Sequence, residues 1–169
     1  EVKDALAWLR LSANPDDDAA LERVLSTPPR GIGERSIARL RELALEQELS
    51  LHGAFQVGAG ELRGQQRRAW TEIQTLLAEI GAPGLSLAER VRRAIDGTGL
   101  RSFYASEDRF GTDARADNLD ELVNVAGRWS YDPEDEESQG QTELTAFLGF
   151  AALEAGEAQA REWEDGVQL

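Results

Sequence analysis

The residues best suited to bind a ligand lie between positions 27 and 36, which read Thr-Pro-Pro-Arg-Gly-Ile-Gly-Glu-Arg-Ser. Gly31 and Gly33 flank Ile32 immediately before a predicted helix. Glycine permits a positive φ and lets its amide approach a ligand closely. The helix that follows adds unpaired amides and the positive end of its dipole. If Ile32 packs inward and fixes the turn, successive amides can point at one phosphate group.

Arginines surround this turn in a chain whose net charge is −14. Residues 23–41 hold five arginines and one acid, whereas residues 101–169 hold 17 acids and five arginines. Charges separated by more than a Debye length of about 8–10 Å are largely screened, so the acidic total does not exclude local phosphate binding. A Gly-x-Gly turn that binds nothing is the alternative, and the arginines favour binding. Helix-hairpin-helix proteins hold a DNA backbone in this way without reading its sequence. The predicted contacts are Thr27, Arg30, Gly31, Ile32, Gly33, Arg35, Ser36 and Arg39.

The residue inventory argues against catalysis. Lys3 is the only lysine and no lysine lies in a glycine-rich loop, so a nucleotide-binding P-loop is excluded. His52 is the only histidine and has no nucleophile motif near it, and cysteine is absent. We therefore expect no enzyme activity, no catalytic residue, no metal site and no cofactor in this chain. The sequence has no apolar run of about 18 residues and no signal peptide, and a cytoplasmic location is the default expectation.

Apolar residues recur at helical spacing, which predicts an all-α, compact multi-helix domain. Asn14 and Pro15 are predicted to begin the second helix, and Pro28 follows its end. We expect a third helix over residues 34–47, a fourth capped by Ser50, and the longest from about Leu62 to Ile80. Residues 86–89, Ser-Leu-Ala-Glu, form a predicted capping box. All four tryptophans are interpreted chiefly as packing residues, with Trp70 beside Arg67 and Arg68 the only weak candidate for stacking on a base.

Two segments are predicted to differ from this helical pattern. Residues 130–140 are acidic and nearly devoid of apolar side chains, which is typical of a mobile loop. Residues 167–169, Val-Gln-Leu, resemble the start of a strand with no partner. Both ends of the chain look cut, so we expect a piece of a longer protein.

Motifs along the whole chain resemble the 2B insertion of UvrD/Rep/PcrA-type superfamily 1 DNA helicases, and the UvrD type most of all. Their combined order is more specific than any one of them. They are residues 1–15, Thr-Pro-Pro-Arg-Gly-Ile-Gly at 27–33, Gly-Leu-Arg at 99–101 with Tyr104, Asn-Leu-Asp-Glu-Leu at 118–122, Ala-Phe-Leu at 146–148, and Ala-Ala-Leu-Glu at 151–154 through Val-Gln-Leu at 167–169.

This resemblance implies a single 2B-like subdomain over residues 1–169, with residues 1–15 and 160–169 as junctions to the 2A motor domain. It implies sequence-nonspecific contact with double-stranded DNA through the Gly-Ile-Gly turn, a second phosphate contact at Ser50, and a swivelling motion that regulates unwinding. The parent would be an ATP-dependent 3′-to-5′ DNA helicase of the bacterial cytoplasm, acting in DNA repair or replication. ATP and Mg²⁺ would bind that parent. Its partners would be the 1A, 1B and 2A domains and repair or transcription proteins. The loop at 107–115 has no assigned role.

A second interpretation remains open. The acidic second half of the chain could dock a basic protein partner, which would make the domain a protein-interaction module. Binding to phosphates weakens steeply as salt rises, so a salt titration with a short duplex separates the two hypotheses.

Overall fold

The computed structural model describes residues 1–107, 114–134 and 140–166, and over 155–166 it describes the backbone alone. Helices account for all regular secondary structure in these residues. This confirms the predicted all-α class. The helices are α1 (Val2–Ala13), α2 (Asp18–Ser26), α3 (Glu34–Glu46), α4 (Leu51–Gly58), α5 (Gln65–Ile80), α6 (Leu87–Arg92), α7 (Leu100–Glu107), α8 (Ala114–Arg128) and α9 (Glu143–Gly166), with a π-helical turn at Arg93–Gly97 after α6.

Helix α1 is the centre of the core. It packs against α2, α5, α8 and α9, and the side chains of Trp8, Leu9 and Leu11 are fully buried. Burying apolar surface of this kind is the main favourable contribution to folding. Trp70 on α5 is also buried and stacks on Phe55 of α4 at a ring-centroid distance of 4.4 Å. Packing is therefore the confirmed role of Trp8 and Trp70.

Most predicted helix signals are confirmed. The hydroxyl of Ser50 accepts a hydrogen bond from the amide of Gly53 at the start of α4. Ser86 and Glu89 form the reciprocal capping box of α6. The hydrogen bonds from Ser86 lower the pKa of the Glu89 carboxyl, because they stabilise its charged form.

Two helix boundaries and the identity of the longest helix differ from the sequence-based expectation. Helix α2 is capped by Asp17, whose carboxylate accepts from the amide of Ala20, so Pro15 lies before the helix and not in its first turn. Helix α5 begins at Gln65, since Gly64 precedes it with a φ of +55°. The longest described helix is α9 and not α5. At the starts of α2 and α5, a nearby capping or turn residue takes precedence over apolar spacing.

Some sequence-based predictions lie partly or wholly outside the described residues. The proposed mobile loop over 130–140 includes 135–139, the loop at 107–115 includes 108–113, and the strand start at 167–169 is wholly outside. Among the helices that the structure describes, none is long and apolar enough to cross a membrane.

Candidate nucleic-acid interface

The turn at Gly31–Gly33 joins the end of α2 to the start of α3. Gly31 has a φ of +81°, a conformation that side chains disfavour. Ile32 is 5% exposed and packs into the core, which anchors the turn between its exposed glycines. Gly33 is the N-cap of α3, with φ −81° and ψ 164° and no side-chain cap. The buried Ile32 therefore holds the turn against the core, while Gly31 and Gly33 face solvent.

The backbone amides of this turn are available to a ligand. Within the described part of the chain, no hydrogen bond uses the amides of residues 31–35, whereas the amides of Ser36 and Ile37 already donate to the carbonyl of Gly33. Residues 31–35 are exposed apart from Ile32. Exposed amides at a helix N-terminus, reinforced by the helix dipole, suit an anion. The local geometry can thus accept a phosphate oxygen.

Arg30 has a different environment from the one expected of a phosphate contact. Its guanidinium group donates to the carboxylate of Glu72 at 3.0 Å and to the carbonyl of Thr98 at 2.5 Å, and it lies 5.1 Å from the ring centroid of Trp8. The side chain is only 8% exposed. Burial lowers its pKa, and the neighbouring Glu72 carboxylate opposes that effect. Arg30 consequently ties the turn to α1, to α5 and to Thr98, which follows the π-helical segment.

Three more arginines of residues 23–41 are engaged in ion pairs. Arg23 bonds the buried carboxylate of Asp4 at 2.6 Å, and Asp4 also accepts from the Tyr104 hydroxyl. Arg41 bridges Glu22 and Glu34, at 2.7 and 2.8 Å.

Arg39 pairs with Glu61 at 2.9 Å, but both side chains are at least 70% exposed, so this pair contributes little to stability. Arg35 is exposed and has no ion-pair partner among the described residues. Arg35 is thus the most available arginine of the predicted set.

The three predicted hydroxyl contacts lie in different settings. Thr27 is half-buried at the end of α2, just before a cis peptide bond to Pro28. The Ser36 hydroxyl, in the first turn of α3, accepts from the side-chain amide of Gln66 at 2.7 Å. The Ser50 hydroxyl donates to Asp16 at 2.5 Å, and the adjacent amide of Leu51 donates to Asp18 at 2.7 Å.

The structure therefore brings Ser36 to the turn but surrounds Ser50 with two carboxylates. These carboxylates already satisfy the start of α4 and repel a phosphate there.

Sequence reasoning missed the start of α5, which lies beside the turn. A Cβ atom added to Gly31 would come within 2.6 Å of the side-chain nitrogen of Gln65, so these residues are in close contact. Three arginines lie within three residues of Gln65 along the chain, and all three are exposed: Arg63, Arg67 and Arg68. Their clustering was visible in the sequence, but the contact of the neighbouring Gln65 with a turn some thirty residues earlier was not.

Comparison with known proteins identifies the family to which this chain belongs. The model of the UvrD-like helicase C-terminal domain matches residues 1–169. The chain belongs to this family. It is 41% identical to DNA helicase II of Escherichia coli over its whole length, 40% identical to DNA helicase II of Haemophilus influenzae, and 32% identical to the ATP-dependent DNA helicase PcrA of Leuconostoc citreum.

The similarity to these UvrD-like helicases covers all of the chain but only part of each relative. The chain spans 24% of the E. coli protein and 23% of the other two. The resemblance deduced from the motifs is confirmed at the level of the family.

Proposed function

We propose that this chain is a 2B-type subdomain that binds the backbone of duplex DNA, without reading its sequence, and regulates the helicase to which it belongs. The observation that carries the proposal is the fixed, exposed Gly31–Gly33 turn, whose amides have no acceptor in the described residues and lie beside the unpaired Arg35. Backbone amides and arginine side chains position a protein on phosphates but carry no base information.

The parent of this subdomain is proposed to be an ATP-dependent 3′-to-5′ DNA helicase of DNA repair or replication. Relatives that share the family are named as DNA helicase II and as an ATP-dependent DNA helicase. The only lysine of this chain, Lys3, lies in α1 and not in a glycine-rich loop, so the chain offers no P-loop to hold the phosphates of ATP and the Mg²⁺ that they carry. Those groups would bind other domains, to which residues 1–15 and 160–169 connect.

The proposed contact residues contribute to DNA binding in different ways. Gly31, Ile32 and Gly33 shape the amide site, Arg35 and Arg39 supply charge, and Ser36 supports the first turn of α3. Arg30 acts by holding the turn. Thr27 and Ser50 contribute less, because Thr27 is half-buried and Ser50 is flanked by carboxylates.

The test is a titration of the purified chain with fluorescent duplexes of unrelated sequence at 50–200 mM salt. We expect dissociation constants on the order of 10⁻⁴–10⁻⁶ M at physiological salt, independent of sequence, and tighter binding at low salt. A log–log salt slope near zero, or binding restricted to one sequence, would contradict the proposal. Binding to a basic polypeptide in place of DNA would favour the protein-interaction hypothesis, which the acidic residues 101–169 support.

A further inference from the structure

The start of α5 continues the surface formed by the Gly31–Gly33 turn. Ser36 of α3 and Gln66 of α5 are joined by a hydrogen bond of 2.7 Å, and Gln65 lies against Gly31. These contacts bring the first turns of two helices to one side of the molecule. A ligand that reaches the amides of α3 therefore lies close to the side chains that α5 presents.

Two arginines at this place have no ion-pair partner in the residues that the structure describes. Arg63 precedes α5, Arg68 lies in its first turn, and both are exposed. The intervening Arg67 has another role, because it donates to the carbonyls of Gly60 and Leu62 at 3.2 and 3.1 Å. Arg67 thus ties down the loop that carries Arg63, which reduces the entropy lost when Arg63 binds.

The acids near Arg63 and Arg68 are already paired. Glu72 lies one helical turn after Arg68, the spacing at which an ion pair forms on a helix. Its carboxylate bonds Arg30 at 3.0 Å instead. Glu61, next to the Arg63 loop, pairs with Arg39 at 2.9 Å. The buried Arg30 thereby leaves the charge of Arg68 uncompensated.

We propose that Arg63 and Arg68 form a second phosphate-binding patch, which holds the same duplex one or more phosphates away from Arg35 and the Gly31–Gly33 turn. This inference rests on the proposed function and extends it to α5. Each strand of B-DNA carries a phosphate every 3.4 Å or so along the axis, so a surface spanning two helix starts meets several phosphates. A duplex held at two places cannot pivot about the turn.

The test compares R63A and R68A with R92A in the duplex titration. Arg92 is a matched control: it is exposed and has no ion-pair partner among the described side chains. It also lies at the end of α6, near the C-terminal end of α5, where Arg90 bonds the carbonyl of Ile80. A helix of 16 residues is roughly 24 Å long, so Arg92 is well beyond a Debye length from the start of α5.

We expect R63A and R68A each to weaken duplex binding several-fold and to reduce the log–log salt slope by about 0.9, the value for one lost phosphate contact. R92A should leave the slope unchanged, and R63K and R68K should largely restore it. Circular dichroism should show the same helix content in all variants, because these side chains are exposed.

Failure of this inference is distinguishable from failure of the proposed function. If the unaltered chain shows no salt-dependent duplex binding, the proposed function itself is wrong. If the chain binds duplex and a change in the Gly31–Gly33 turn abolishes binding, but R63A and R68A match R92A, the patch at α5 is overturned. Equal losses in all three variants would indicate a general effect of charge and would also overturn it.

Discussion

Replacing Gly33 with aspartate tests the amide site by changing stability and binding in opposite directions. Gly33 is the N-cap of α3 and has a negative φ, and a Cβ built there meets no atom within 4 Å. Aspartate should therefore fit without strain. Its carboxylate should accept from the amides of the first turn, which no side chain caps at present. The same carboxylate would occupy the place proposed for the DNA phosphate.

The expected gain in stability is small but measurable. An aspartate N-cap exceeds glycine by a few tenths of a kcal/mol, and its charge at the helix N-terminus contributes a further ~0.3–1 kcal/mol. For a chain of this size, the melting temperature should rise by roughly 1–4 °C. Differential scanning fluorimetry or thermal circular dichroism would measure this shift.

The expected loss of binding is larger. A hydrogen bond to a charged group contributes about 1.5–3 kcal/mol, so losing one phosphate contact should weaken duplex binding roughly tenfold to hundredfold. The salt slope should fall by less than the 0.9 or so of a lost arginine contact, because the slope counts phosphates neutralised by charged side chains and the amides of this site are uncharged. Fluorescence anisotropy at 50 mM salt gives enough range to follow the change.

Two controls separate the amide site from other effects. G33A adds a Cβ without charge, so it should bind duplex nearly normally while losing some stability, because alanine is a poor N-cap. S130D adds the same charge at an exposed residue after α8, a helix that packs against α6. A G33D variant that is more stable yet binds duplex with unchanged affinity and salt slope would refute the proposed phosphate site.

Three further changes test the turn, the arginine that holds it and the capping box of α6. G31A should destabilise the fold by about 1–2 kcal/mol in urea unfolding, because φ is +81° and the new Cβ would collide with Gln65; unchanged stability would show that the turn can relax. R30Q should lower the free energy of unfolding by about 1–3 kcal/mol, because the bonds to Glu72 and Thr98 are lost. It should leave the log–log salt slope of duplex binding unaltered. A slope reduced by about 0.9, with the fold intact, would make Arg30 a phosphate ligand. E89Q should remove a pH-dependent part of the stability, because the pKa of the Glu89 carboxyl is lowered on folding. The contribution of Glu89 is present above the ordinary carboxyl pKa and is lost as pH falls through its pKa in the folded state. Urea midpoints of the wild type and E89Q should converge towards pH 3, and a constant difference between pH 7 and pH 3 would contradict this assignment.

Local signals in the sequence were sufficient for most of the fold. Apolar spacing predicted the buried faces of α2, α3 and α6, and Ser50 and Ser86 marked helix starts because capping involves residues within one turn. The boundaries of α2 and α5 were less predictable. Several candidate caps lie close together before α2, and the path of the backbone decides that Asp17 is the one used. The start of α5 depends in the same way on the backbone conformation of Gly64.

The sequence by itself determined the helical class and the Gly31–Gly33 turn, because these depend on residues that are near one another in the chain. It also determined the family, because the order of several motifs along the chain is preserved in the sequence. Only the tertiary structure decided how the arginines are used. Arg30 is adjacent to the turn, yet its partners Glu72 and Thr98 are 42 and 68 residues away. Arg63 and Arg68 flank Gln65, which lies far along the chain from Gly31 but folds against it. A charged side chain is available to DNA only if no nearby acid or carbonyl already binds it, and long-range packing sets those neighbours.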